Sequence, residues 1–307
     1  EVRTKQQMTK VKFCTTVLFT VALFLWLGAR YHFFYGRYEV HKKGGVIISG
    51  ASRGIGFYTA AHLANEGYTV FAGVRSDQDY ELLLKEESGG RNLLPVILDV
   101  TDQHTIDECF GFVSKELEKR NLKLTAVINN AGVQHLRVLE CLDEKTLRWL
   151  FDVNVFGAMA LTQRFLPMLR SSKGRVVAVG SVAGFAAVPL YGGYAATKHA
   201  LEALVDTLRQ ELKESGVSVS LIQAGSINTD MANRYVEGDA RKKNYADQTG
   251  ISSDHSSECQ EAYPEILDGV DDFFRYHFGK EGYSVVLFNK AERTFKAIVP
   301  VIIIYEP

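Results

Sequence analysis

From residue 44 to Met231, short apolar runs rich in β-branched residues alternate with stretches whose apolar positions recur every three to four residues. The runs at 46–49, 69–73, 95–98, 126–129, 175–180 and 218–223 predict six strands. They are apolar almost throughout, as expected of strands covered on both faces. Helical patterns lie between them, most clearly at 58–66, 106–120, 144–169 and 194–215. This alternation predicts an α/β fold, a doubly wound parallel sheet with helices on both sides. No repeat or long linker divides it.

Beyond Met231 the pattern weakens. EGDARKKNYADQTGISSDHSSECQEA is polar and weakly periodic, so residues 231–307 read as a substrate-binding lid and C-terminal segment. The closing IVPVIIIYEP predicts one more strand, which Pro300 confines to an edge or a strand start.

At the other end, residues 13–29, FCTTVLFTVALFLWLGA, carry no charge and are flanked by Lys10, Lys12 and Arg30. The length is at the short end for a membrane-spanning helix, and Trp26, Tyr31, Phe33, Phe34 and Tyr35 fit an aromatic belt. A cleaved signal peptide shares the short apolar core and the preceding lysines, and a buried helix is the third alternative. The stretch is long for a signal core and no small-x-small cleavage site follows, which favours a single-pass anchor. On this reading residues 1–43 are anchor and juxtamembrane segment and 44–307 the catalytic domain. The membrane is expected to be the endoplasmic reticulum. Basic residues flank both sides, so orientation rests on the lack of an Asn-x-Ser/Thr acceptor, which tilts the domain towards the cytosol.

Charge and cysteine usage narrow the function. A net charge of -1 over 307 residues offers no basic surface for nucleic acid. Cys14, Cys109, Cys141 and Cys259 are far apart, form no CxxC pair and read as reduced thiols. His255 and Cys259 lack further partners, so no metal site is expected.

Directly after the first predicted strand comes SGASRGIG, residues 49–56, and then a helical pattern. Gly50, Gly54 and Gly56 permit a tight turn and close approach to a pyrophosphate, which the N-terminus of the helix attracts. The second strand ends in Val74 and Arg75, where NAD enzymes offer a carboxylate to the ribose, and Arg53 lies inside the turn. Two guanidinium groups and no acid favour NADP(H), because forked charge-assisted hydrogen bonds suit a 2′-phosphate.

Four more pieces share the sheet edge where the strands end: NNAG at 129–132, Asn154 in FDVNVFGA, Ser181 in GSVAG, and Tyr194 with Lys198 in YAATK. Together with the glycine turn, they make residues 44–231 resemble the short-chain dehydrogenase/reductase family, of the three-layer Rossmann type. The resemblance implies a catalytic tetrad of Asn154, Ser181, Tyr194 and Lys198, Asn154 holding a water that links Lys198 to solvent. It implies cofactor contacts at Gly50, Ser52, Arg53, Gly54, Ile55, Gly56, Arg75, Asp99, Val100, Asn130, Ala131, Gly132, Tyr194, Lys198, Ile227 and Thr229. It also implies homodimers or homotetramers built on the 144–169 and 194–215 helices. One departure is AGSINT, where Ala224 replaces the family's usual proline.

The chemistry has its own logic. Positions i and i+4 of a helix share a face, so the ammonium of Lys198 can lower the pKa of the Tyr194 phenol and tune it for proton transfer. Ser181 can donate to the same substrate oxygen. The expected activity is NADP(H)-dependent interconversion of a secondary alcohol and a ketone. A membrane anchor points to a lipophilic small molecule of steroid, retinoid or long-chain acyl type. The alternative is a non-catalytic nucleotide-binding scaffold or sensor at the membrane.

Overall fold

The computed structural model describes residues 41, 43–85, 90–225 and 227, the single helical residue Trp26, and the backbone of three two-residue strands near the C-terminus. Thr229, most of 231–307 and the expected anchor at 13–29, apart from Trp26, lie outside the described residues. Among the described residues no helix is long and apolar enough to cross a membrane.

His41–Tyr305 forms a compact unit around one sheet. Its strands are β1 (Gly45–Ile48), β2 (Thr69–Val74), β3 (Leu93–Ile97), β4 (Leu124–Asn129), β5 (Arg175–Val179) and β6 (Ser218–Ile222). They run parallel in the order β3-β2-β1-β4-β5-β6. Strands β7 (Leu287–Phe288) and β8 (Phe295–Lys296) pair with each other, and β9 (Ile304–Tyr305) joins β6 antiparallel as a seventh strand. The closing apolar run thus supplies the edge strand expected of it. Pro95 lies inside β3, opposite Ala72. That position is tolerated because β3 is the outer strand and has a side with no ladder to break.

Alternate residues of the central strands enter different layers, as the two-residue period of a strand requires. Ile47, Phe71 and Val127 pack with Ile106, Phe165 and Leu201 on one face, and Val46, Ile48, Val70 and Ala72 with Ala60, Ala64 and Leu83 on the other. Helix α1 (Gly54–Asn65) buries only small side chains, Ala60, Ala61 and Ala64 among them, and so lies close to the sheet.

Helix α2 (Asp77–Lys85) escapes the apolar pattern because it buries only Leu83. It is started by the Ser76 hydroxyl, which accepts from the Asp79 amide at 3.1 Å. Helix α3 (Gln103–Lys119) follows the expected spacing, with Ile106, Cys109, Val113 and Leu117 inward and Asp102 accepting from the His104 amide at its start. The expected single helix at 144–169 is instead α4 (Glu144–Phe151), a π-helical turn (Asp152–Gly157) and α5 (Ala158–Ser172). Helix α6 runs Gly192–Glu211 and continues as a 3-10 turn, Lys213–Ser215. Cys109 is a buried free thiol, whereas Cys141 is disulfide-bonded, which corrects the reading of four reduced cysteines.

Candidate active site

Two halves of the sheet diverge between β1 and β4, and the turns leaving both strands meet there. Gly50 has φ +66, and a Cβ on it would stand 2.9 Å from the Ala131 Cα. A Cβ on Gly56 would lie 2.3 Å from the Gly50 carbonyl oxygen and 2.5 Å from Asn130 Nδ2. Only glycine fits at either position. Asn130 Nδ2 donates to the carbonyls of Ser49 (2.9 Å) and Gly50 (3.0 Å). The Ser49 hydroxyl in return accepts from the amides of Asn130 (3.1 Å) and Ala131 (3.0 Å).

A rigid turn thereby opens onto the N-terminus of α1, where Arg53 makes no side-chain cap and the first turn holds no acid. Unclaimed amides and the absence of a repelling carboxylate suit a pyrophosphate, so the residues present fit a dinucleotide. Ser52 and Ile55 are half-buried in the same turn.

Arg53 extends outward, with its guanidinium 3.8 Å from the Asp79 carboxylate at the start of α2. Arg53 is exposed and Asp79 only half-buried, so at this distance the pair is a weak tether. Arg75, directly after β2, is exposed. Asp99 follows β3 and is steadied by Thr101, whose amide (2.9 Å) and hydroxyl (2.7 Å) both donate to Oδ1. Val100 beside it is buried against Gly157. Asn130, Ala131 and Gly132 leave β4, and Ile227 stands half-buried beyond β6. Ala224 offers its carbonyl to Val182 N at 2.9 Å.

The four tetrad positions converge at the same edge. Ser181 leaves β5 and hydrogen-bonds the Tyr194 phenol. Lys198, one turn further along α6, donates to the Val179 carbonyl at 2.9 Å and lies 5.7 Å from the centre of the Tyr194 ring. Tyr194, Lys198 and Asn154 are 7%, 5% and 1% exposed.

Burial then decides the titration: it pushes the phenol up to about 12, with the Ser181 bond pulling against it, and pushes the ammonium down to about 8. The expected lowering of the phenol by Lys198 is therefore outweighed, because both groups are desolvated and the ammonium faces a backbone carbonyl.

Asn154 sits on the π-helical turn with its amide fully engaged. Oδ1 accepts from Val133 N (2.8 Å), while Nδ2 donates to Val133 O (2.8 Å) and Thr197 Oγ1 (3.0 Å). A water can reach its side chain only through the second lone pair of Oδ1.

Sequence reasoning missed Ser49 and Thr197. Ser49 could have been found as the one polar residue closing an apolar strand before the glycine turn. Thr197 carries no such mark, since its role depends on a side chain 43 residues away. Tyr191 was also missed; its ring is 6.2 Å from that of Tyr194, and it hydrogen-bonds Gln134.

A doubly wound sheet, a glycine turn at its switch point and a half-buried serine with a buried tyrosine and lysine beside it define a dinucleotide-binding domain with a candidate proton-transfer centre. Residues 45–240 match the short chain dehydrogenase family, and the chain belongs to it. A 3-amino-tetrahydro-pyrrolizinone reductase of Xenorhabdus hominickii is 36% identical over 191 residues, 62% of this chain and 64% of the relative. Estradiol 17-beta-dehydrogenase 2 of Mus musculus is 36% identical over 221 residues, 71% of this chain and 55% of the relative. The chain thus spans less than two thirds of either relative. A short-chain dehydrogenase from Streptomyces avermitilis superposes with a TM-score of 0.55 at 29% identity, covering 62% of this chain and 68% of that one. The family is one of oxidoreductases that act on CH–OH groups with a nicotinamide dinucleotide.

Proposed function

We propose that this chain is an NADP(H)-dependent oxidoreductase that interconverts a secondary alcohol and a ketone on a lipophilic substrate. The observation that carries the reading is the Ser181–Tyr194 hydrogen bond, with the buried Lys198 one helical turn behind it, next to the glycine turn. Gly50, Ser52, Arg53, Gly54, Ile55 and Gly56 would cradle the pyrophosphate. Asp99 and Val100 would meet the adenine, Asn130 to Gly132 the ribose side, and Ile227 with Thr229 the carboxamide. Arg53 and Arg75 would bind the 2′-phosphate, which is the basis for preferring NADP(H).

When bound, the nicotinamide supplies or accepts the hydride. The chain supplies the proton. A phenol held near 12 is protonated at neutral pH, so in the reducing direction Tyr194 is an acid facing the substrate oxygen as negative charge grows there. Ser181 donates to that same oxygen. The Lys198 ammonium offsets the charge left on the phenolate, a contribution that is large only because water is excluded from the pair.

Lipophilicity is supported by the uncharged stretch at 13–29, proposed as a membrane anchor, and by the steroid named in the mouse relative. Assembly into homodimers or homotetramers belongs to the same proposal. The test is oxidation of NADPH against a panel of steroid, retinoid and long-chain ketones, repeated with Tyr194→Phe. Turnover by the natural chain, faster with NADPH than NADH and abolished in the variant with NADPH binding retained, is expected. Robust turnover in Tyr194→Phe overturns the assignment. NADPH binding with no turnover of any ketone favours the scaffold reading, and turnover of polar sugars alone removes the lipophilic substrate.

A further inference from the structure

We infer that Thr197, the residue directly before the lysine and given no role in the reading above, is a positioning residue that locks Asn154 and the end of β4 to the catalytic helix; the inference rests on the function proposed above. Thr197 is fully buried, at 0% exposure. Its hydroxyl donates to the Tyr194 carbonyl at 2.7 Å, one turn back along α6. With its proton so committed, the oxygen is left as an acceptor, and it receives the Asn154 Nδ2 hydrogen at 3.0 Å.

The rest of the Asn154 amide is spoken for by both backbone groups of Val133, at 2.8 Å each. Val133 follows NNAG directly, so the chain of bonds runs from the backbone of the tyrosine, through Thr197 and Asn154, to the strand end that floors the site. Every member is buried, so a bond that is lost leaves a desolvated polar group behind.

The π-helical turn makes the link necessary. A π turn widens the helix by one residue and weakens its own hydrogen-bond ladder, so the direction of Asn154 is not dictated by helix geometry alone. The side-chain bonds to Val133 and Thr197 hold it from two elements. Gly132 stands between Asn154 and Lys198: a Cβ there would be 3.4 Å from Asn154 Oδ1 and 3.8 Å from Lys198 Nζ. A shift of Asn154 therefore moves the wall against which Lys198 sits.

Thr197→Val keeps the shape and removes both bonds, whereas Thr197→Ser keeps the hydroxyl and drops only the methyl. Two readouts separate this inference from the functional one. The first is hydrogen exchange at the Val133 amide in the full chain without cofactor. Thr197→Val is expected to speed it by about tenfold or more, leave the Val182 amide unchanged, and show no such change in Thr197→Ser. The second is ketone reduction, where Thr197→Val is expected to lower kcat about tenfold with NADPH affinity within about twofold, and Thr197→Ser to restore it.

Unchanged exchange in Thr197→Val overturns the inference, as does equal acceleration in Thr197→Ser, which would assign the effect to methyl packing. Faster exchange with unaltered kcat overturns Thr197 as a positioning residue for the reaction. The expected exchange pattern in a chain that reduces no ketone leaves the lock standing and sinks the functional reading instead. Should Thr197→Val not fold, Thr197→Cys, with a weak sulfur acceptor of similar size, is expected to fall between serine and the natural residue on one side and full loss on the other; exchange as slow as the natural chain's overturns the lock.

Discussion

A buried ammonium gives up hydration, and Lys198 shows the consequence in a pKa lowered from 10.5 to about 8. Between those two values the unfolded chain holds a proton that the folded chain has released. Stability must therefore rise with pH across that window, while below about 8 the cost of burying the charge is fully present. Three groups act in the opposite sense. Burial raises Cys109 from 9.0 to about 12 and Tyr191 and Tyr194 from 10.0 to about 12, so the folded chain keeps protons that the unfolded chain loses above pH 9. The expected outcome is a melting temperature that climbs from about pH 8 to 9, stays level to about pH 10 while Lys198 and Cys109 cancel, and then falls. Lys198→Met should remove the climb and bring the start of the fall down to about pH 9. A calorimetric pH series in which both proteins trace the same curve would show that Lys198 is not titrating as its burial implies. The presence of tyrosine, lysine, serine and asparagine at these positions was legible from spacing. Which proton each group holds was not, because desolvation is a property of what surrounds a side chain and outweighs its neighbour in sequence.

At the level of elements, the glycine turn was the most legible part of the site, since three glycines between a strand and a helix have few other uses. Its stiffness comes from elsewhere, through Asn130 and Ser49 on the neighbouring strand ends. Gly56→Ala tests that packing. The added methyl meets the Gly50 carbonyl at 2.3 Å, and a backbone carbonyl cannot swing aside as a side-chain tip can. NADPH affinity is expected to fall by more than about tenfold, with a loss of about 1–3 kcal/mol in stability. Gly111→Ala is the control. It lies inside α3 with nothing within 4 Å of the new methyl, so it should be neutral or stabilise by up to about 1 kcal/mol. Equal affinity for NADPH in all three proteins would show that the turn is not the cradle. The same scale explains two misread elements. Helix α2 buries one leucine and leaves no apolar period to detect. The π turn is invisible because apolar residues continue on both sides of it, and a single inserted residue barely disturbs a period of 3.6.

For the whole molecule, the decisive boundary is His41. Its carbonyl accepts from the Tyr68 hydroxyl, and its ring reaches the Lys173 carbonyl at 3.3 Å, which ties the start of the compact unit to both sides of β1. A chain begun at His41 is accordingly expected to fold and bind NADPH as the full chain does. Under the proposal made for residues 13–29, only the full chain should sediment with membranes and need detergent for release. Membrane association of both chains, or of neither, would remove those residues as the anchor.

Hydropathy along the chain determined the alternation of strands and helices, and so the parallel sheet, because covered strands and one-sided helices leave different periods in a sequence. Motif spacing determined which residues reach the ligand edge, because strand ends in such a sheet all face one way. Only the folded chain decided that the Asn154 amide serves Val133 and Thr197, that β9 closes the sheet antiparallel, and that Tyr194 stays protonated. Hydrogen-bond partners and desolvation are set by groups distant along the chain, and no local pattern carries them.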